Sequence, residues 1–148
     1  MLRFVRTPLV ADLVEAFGPE PGRLPDGEAV GSTSEDLTIT LDALANSGWT
    51  MEPSIEATRE DMESGTAMSV SVFPRADVRV NFFVNWGYVA FDIDLAQLTD
   101  QESVDAVCAV MSVVGNATGK VVVLTHEGSE SPVLTYDPVQ DAFELARD

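Results

Sequence analysis

Four groups of residues have types and spacings that could carry chemistry. The first centres on His126, the only histidine, which is followed by Glu127, Ser129, Glu130 and Ser131. A Ser–His–acid hydrolase needs a serine held on a strained turn, with the histidine as its base. No nucleophile-elbow pattern surrounds these serines, so they read as loop residues. One histidine also excludes a multi-histidine metal site. The second is Cys108, the only cysteine, which excludes an intramolecular disulfide and a cysteine-based zinc cluster. It falls on an apolar helical stripe, the opposite of the electropositive, partly exposed setting of a reactive thiolate, and reads as a small core residue.

The third group is Asp92 and Asp94, two residues apart on a predicted strand and so projecting from one face. Two such carboxylates could bind a cation or work as an acid–base pair. The register derived below instead sets Arg79 opposite Asp94 and Asn81 opposite Asp92, as ordinary cross-strand pairs. The fourth is Gly115-Asn-Ala-Thr-Gly119-Lys120. A phosphate loop needs one more residue, a Ser or Thr where Val121 stands, and a helix that it opens. This segment follows a helix, and a helix C-terminus carries the wrong dipole for phosphate. It reads as a helix stop with Gly119 in the left-handed conformation. No catalytic residue, metal or cofactor is expected.

The elements that would position these residues are legible from periodicity. Thr7-Pro8 reads as a cap before a first helix with the stripe Leu9, Val10, Leu13, Val14 and Phe17. Residues 18–32 are rich in Pro, Gly and acids and read as a loop. A second helix starts near Thr33 or Ser34, buries Leu37, Leu41 and Leu44, and stops at Asn46-Ser47-Gly48. From Trp49 the period becomes two. Met51 to Thr58 reads as a strand and 59–65 as a turn. Met68–Phe73, Val78–Asn85 and Tyr88–Leu95 alternate apolar with polar residues, as an antiparallel meander does with one face on a core.

Parity then fixes the register. A two-residue turn at Trp86-Gly87 pairs Val84 with Val89, Phe82 with Phe91 and Val80 with Ile93. A one-residue slip would turn that apolar set into water. The same rule demands an odd loop near Arg75-Ala76-Asp77, pairing Val72 with Val80 and Val70 with Phe82. A third predicted helix, capped by Thr99 or Asp100, runs to about Asn116 and is apolar on most sides, which suits deep burial or a homodimer contact. Val121–Thr125 reads as a central strand, and Pro132–Tyr136 and Ala142–Ala146 as two more joined through Asp137-Pro138. The expected fold is one α+β domain over 1–148: a helix plus a Pro/Gly-rich loop to residue 32, then a main body with an antiparallel meander of about four strands, C-terminal strands, and two to three packed helices.

The outer face of the meander carries Phe73, Phe83 and Tyr88 among polar and acidic residues, with Trp86 at the tip. Aromatics ringed by such groups fit a protein-binding surface, provided no helix covers them. Charge points the same way. The 148 residues carry 25 acids against 8 bases, a formal charge of −17, and are 45% hydrophobic, enough for a core. No base lies between Arg79 and Lys120. Nucleic-acid binding through phosphates needs a basic face, so neither nucleic acid nor an anionic membrane surface is an expected partner. The acidity suits a basic protein partner, mimicry of nucleic acid, life at high salt, or solubility alone. No apolar run or cleavage site follows Arg3 and Arg6, so neither a signal peptide nor a membrane span is expected, and the location expected is cytoplasmic.

The end of the chain reads Gly119-Lys-Val-Val-Val-Leu-Thr-His-Glu-Gly-Ser-Glu-Ser-Pro-Val-Leu-Thr-Tyr-Asp-Pro138. Preceded by a helix and a meander, it resembles the C-terminal half of small acidic immunity proteins from bacterial toxin systems, over about the last 80 residues. That resemblance implies a cytoplasmic protein that blocks a toxin by covering its active site. It transfers no individual residues. The α-β-β-β-α start is also similar to type III secretion chaperone-like folds, which lack the C-terminal strands. The expected function is therefore non-enzymatic binding, through Phe73, Phe83, Trp86, Tyr88, Asp92, Asp94, Asp100 and Glu102. The alternatives are a small-molecule or enzymatic site using His126 with Asp92 and Asp94, and a structural homodimer.

Overall fold

A computed structural model describes residues 7–18 and 24–146. Its elements are α1 (Val10–Phe17), β1 (Asp26–Ala29), α2 (Ser34–Asn46), β2 (Thr50–Glu52), α3 (Ile55–Ser64), β3 (Ser69–Arg75), β4 (Val78–Phe83), β5 (Ala90–Ile93), α4 (Gln101–Thr118), β6 (Val122–Thr125), β7 (Pro132–Asp137) and β8 (Ala142–Leu145). A single 3₁₀ turn, Leu95–Gln97, links β5 to α4. The strands form one antiparallel sheet of eight, in the order β2-β3-β4-β5-β1-β6-β7-β8. The fold is α+β, as expected, with more strands in its sheet than the predicted meander.

The parity argument holds in the ladder. Val80 pairs with Ile93 and Phe82 with Phe91 across β4 and β5, and Val70 pairs with Phe82 and Val72 with Val80 across β3 and β4. The odd residue near the first turn is accommodated differently from the expected three-residue loop. Arg75 pairs with Val78 around a two-residue turn, and a bulge between Val72 and Arg75 restores the count. At Trp86-Gly87 the tight hairpin is replaced by a longer connection. β4 stops at Phe83 and β5 starts at Ala90, although Val84 and Val89 both remain buried.

Two expected segments take a different secondary structure. Residues 26–29 are not loop: they form β1, the strand between β5 and β6 near the middle of the sheet. Asp, Gly, Glu and Ala are all poor strand formers. The ladders on both sides and one glycine override that preference. A Cβ on Gly27 would lie 2.2 Å from the Phe91 ring, so only glycine lets the ring cross the strand. The second failure is the strand over 51–58 with its turn at 59–65. β2 is short, and α3 follows. Ser54 Oγ accepts the Ala57 N–H at 3.2 Å, and Gly65 ends the helix at φ 74°. The Ser54 cap and the Gly65 stop were both visible signals, masked by the alternation before them.

The core lies between the sheet and the helices. Val70, Val72, Val80, Phe82, Phe91, Leu124, Leu134 and Tyr136 supply the sheet side, and Leu37, Leu41, Leu44, Val104, Val107, Met111 and Val114 the helix side. Each such side chain contributes roughly 1.5–3 kcal/mol when fully buried. α4 uses its apolar surface within the chain, against α2 and the sheet. Its cap is Asp100, whose carboxylate accepts the Ser103 N–H at 2.8 Å, and it ends on Gly119 at φ 70°, in the left-handed conformation expected there. Cys108 is buried in it, and burial, followed by the nearby Asp105, pushes its thiol up to about 12. The N-cap position of α1 is Leu9 rather than Thr7, and its side chain offers no cap; the Val10 N–H donates instead to Gln101 Oε1 at 3.0 Å. Leu13 and Phe17 anchor it, while Leu9 is exposed.

Lys120, the only lysine, ties the helices together. Its Nζ lies 3.3 Å from Asp36 Oδ2, which also accepts the Thr33 N–H at 3.0 Å in the capping box of α2. Burial would raise the Asp36 pKa, but the Thr33 N–H and Lys120 together outweigh it and hold the carboxyl below its usual range.

Candidate functional site

Strand alternation sends Ser71, Asn81, Phe83, Ala90, Asp92, Asp26, Glu28 and Thr125 to the face opposite the core residues. The loop from Val84 to Val89 completes this face at one end. The hydrogen bonds that tie it down include Val84 N–H to Met68 O at 3.1 Å, Ala29 N–H to Val89 O at 3.1 Å, Val89 N–H to Ser32 Oγ at 2.9 Å, and Ser34 Oγ to Gly87 O at 3.3 Å. Trp86 is thereby presented at a fixed place. Its indole stacks on Phe83 with ring centroids 4.4 Å apart and planes 6° apart, and Tyr88 lies 6.1 Å away at 44°. Trp86 remains 50% exposed, with the exposed Met68 at the same end.

Beside this aromatic group is a cleft of about 190 Å³, whose lining includes Trp86, Tyr88, Ala90, Glu28, Thr125 and Glu130. A second cleft on the same face, about 260 Å³, is lined by Leu24, Arg79, Asn81, Asp92, Asp94 and Gln97. Between them Asp26 and Asp92 stand directly opposite each other on β1 and β5. Like charges so placed repel. The Asp92 carboxyl is accordingly pushed above its usual range, first by burial and then by Asp26, with Arg79 and Asn81 opposing.

The structure gathers only some of the residues expected from sequence. Phe83, Trp86 and Tyr88 come together as predicted. Phe73 does not join them. Ser69 pairs with Phe83, and Phe73 lies four residues further along β3, about 13 Å away at ~3.3 Å per residue. Asn81 faces Asp92 as expected. Arg79 forms no ion pair with Asp94 among the described residues: its Nε donates to Ser71 Oγ at 2.7 Å, while Asp94 Oδ1 accepts the Ala96 N–H at 3.0 Å. Asp100 and Glu102 belong to another neighbourhood. Arg75 forks onto Asp100 at 2.9 and 3.0 Å, with Asp77 at 2.7 Å and Glu102 at 3.8 Å. That contact, led by the Arg75 hydrogen bonds, lowers the Asp100 carboxyl to about 2. Asp100 is thus engaged within the fold.

His126 and the aspartates do not converge. Thr125 shares the outer face with Asp26, so the next residue turns inward, where the His126 ring meets Phe17 of α1 edge-on at 5.6 Å. Its Nδ1 has no hydrogen-bond partner among the described residues. No group of three His, Cys, Asp or Glu side chains among the described residues is arranged to hold a metal ion. No described helix is long and apolar enough to cross a membrane.

Sequence reasoning missed Asp26, Glu28, Thr125 and Glu130 as neighbours of the aromatics. Two of them lie on β1, which the composition of 18–32 concealed. Comparison with protein-family models, characterised proteins and solved structures finds no significant match.

Proposed function

We propose that this chain is a non-enzymatic binding protein of the immunity or inhibitor type, acting in the cytoplasm, and that it docks its outer sheet face on a basic protein. The observation that carries this reading is the stacked, half-exposed Phe83–Trp86–Tyr88 group set in an acidic surround. Exposed aromatics at the centre of a charged rim are the composition of interface hot spots. The formal charge of −17 adds electrostatic steering toward a basic partner. The separation of His126 from Asp92, and the buried thiol of Cys108, support a binding role over catalysis.

Affinity capture from the source organism tests the proposal, run with wild-type and Trp86→Ala bait at low and high salt. The expected outcome is a basic protein that binds wild type, is released by salt, is lost with Trp86→Ala, and is inhibited by the purified wild-type chain. Capture indifferent to both salt and Trp86→Ala would sink the proposal.

A further inference from the structure

The cleft beside Trp86, at about 190 Å³, is smaller than the roughly 300–1,000 Å³ of sites that enclose a cofactor or drug-sized ligand. Its size suits a single side chain. Its walls combine two chemistries: the rings of Trp86 and Tyr88, and the carboxylates of Asp26, Glu28 and Glu130. Aromatic faces and carboxylates together select a cation. Phe83 covers one face of the Trp86 indole and holds it in place, while the half-exposed ring keeps surface free for a ligand. The neighbouring cleft contains Arg79, which would repel a cation. The two clefts are therefore not equivalent.

Lysine and arginine differ in what they can use here. An ammonium is strongly hydrated and acts as a point charge. A guanidinium is planar and less hydrated; it stacks on rings and grips carboxylates in a fork. We infer that this cleft is the anchor pocket for one arginine side chain of the basic partner. Trp86 stacks on the guanidinium, and Glu28 and Glu130 pair with it. The inference rests on the docking role proposed above and names the chemistry of its anchor.

Trp86 fluorescence tests it in a Trp49→Phe background, which leaves Trp86 as the only indole. The probes are hexa-arginine, hexa-lysine and hexa-citrulline peptides, the last being the neutral counterpart of arginine. The expected result is a saturable Trp86 response to hexa-arginine, at least several-fold tighter than to hexa-lysine, and none to hexa-citrulline. Glu28→Gln with Glu130→Gln should weaken the hexa-arginine response about tenfold. Glu56→Gln with Glu60→Gln changes the net charge equally on the exposed part of α3 and should leave the response unchanged. Equal weakening by both pairs, or equal responses to lysine and arginine, would overturn the inference by reducing it to bulk attraction. If the captured partner still depends on Trp86 while these peptide tests fail, the docking role stands and the arginine pocket falls. If the peptides bind as expected but no partner depends on Trp86, the pocket stands and the docking role falls.

Discussion

Gly27 of β1 lies directly under the aromatic ring of Phe91 on the neighbouring strand, so close that a Cβ would come within 2.2 Å of it. Gly27→Ala forces one of them to move. Phe91 has little room to yield, being buried and tilted against Phe82 at 5.2 Å. The expected loss is about 1–3 kcal/mol in urea unfolding. Phe91→Leu and Gly27→Ala together should cost less than the sum of their separate losses, and simple additivity would refute the contact.

Tyr136 makes a similar approach to α4, where a Cβ on Gly115 would lie 2.7 Å from its ring. The ring is fully buried and its hydroxyl donates to Asp141 Oδ1 at 2.6 Å. Asp141 is the turn residue with positive φ, 50°, between β7 and β8. Tyr136→Phe keeps the packing and removes the donor. It should cost about 1–1.5 kcal/mol and speed amide exchange in that turn, with β3 and β4 unaffected.

Asp92 bears a penalty while it is charged. Its folded pKa is raised, so the folded state binds its proton more tightly than the unfolded chain does. The penalty is absent below the unfolded pKa and complete above the folded one. Asp92→Asn should therefore raise the melting temperature at pH 7, and the gain should shrink as the pH falls through the carboxylate range. A variant no more stable than wild type at pH 7 would contradict this.

Asp100 has the opposite sign. Its carboxyl is lowered from 3.8 to about 2, chiefly by Arg75, so its contribution is complete above about pH 4 and is lost as the pH falls toward 2. Arg75→Gln should flatten that part of the stability–pH curve relative to wild type while leaving the curve near neutrality parallel to it. Thermal melts in steps of half a pH unit would resolve the two shapes.

Much of this architecture could be read from residue order, for a physical reason. Val80, Phe82, Phe91 and Ile93 alternate so strictly that only one register keeps them dry, and the ladder has that register. Capping chemistry located α2 and α4 because the side chains of Thr33 and Asp100 satisfy backbone donors that the first helical turn leaves without an intrahelical partner. β1 was illegible because its stability comes from neighbours distant in sequence, and its own residues argue against a strand. α3 was lost to the alternation that precedes it. The candidate site followed the same division. Phe83, Trp86 and Tyr88 belong to one hairpin and were predicted together, whereas Glu28, Thr125 and Glu130 join them only through β1 and β6. Asp100 lies apart from that group, where the Arg75 side chain reaches it across a tertiary contact that no spacing rule encodes.

β1 also has a consequence in time. Gly27 is made well before its ladder partners, Phe91 on one side and Leu124 on the other. As the chain leaves the ribosome, β3, β4 and β5 can pair with one another well before β6 exists. β1 then has only half of its hydrogen bonds available, and its own residues have little tendency to stay extended. The sheet cannot become continuous until residues near 125 have emerged. A nascent chain stalled before that point presents the unpaired edge of β5, the kind of exposed strand that recruits other chains. β6 thus closes the sheet, by joining a strand made long before it.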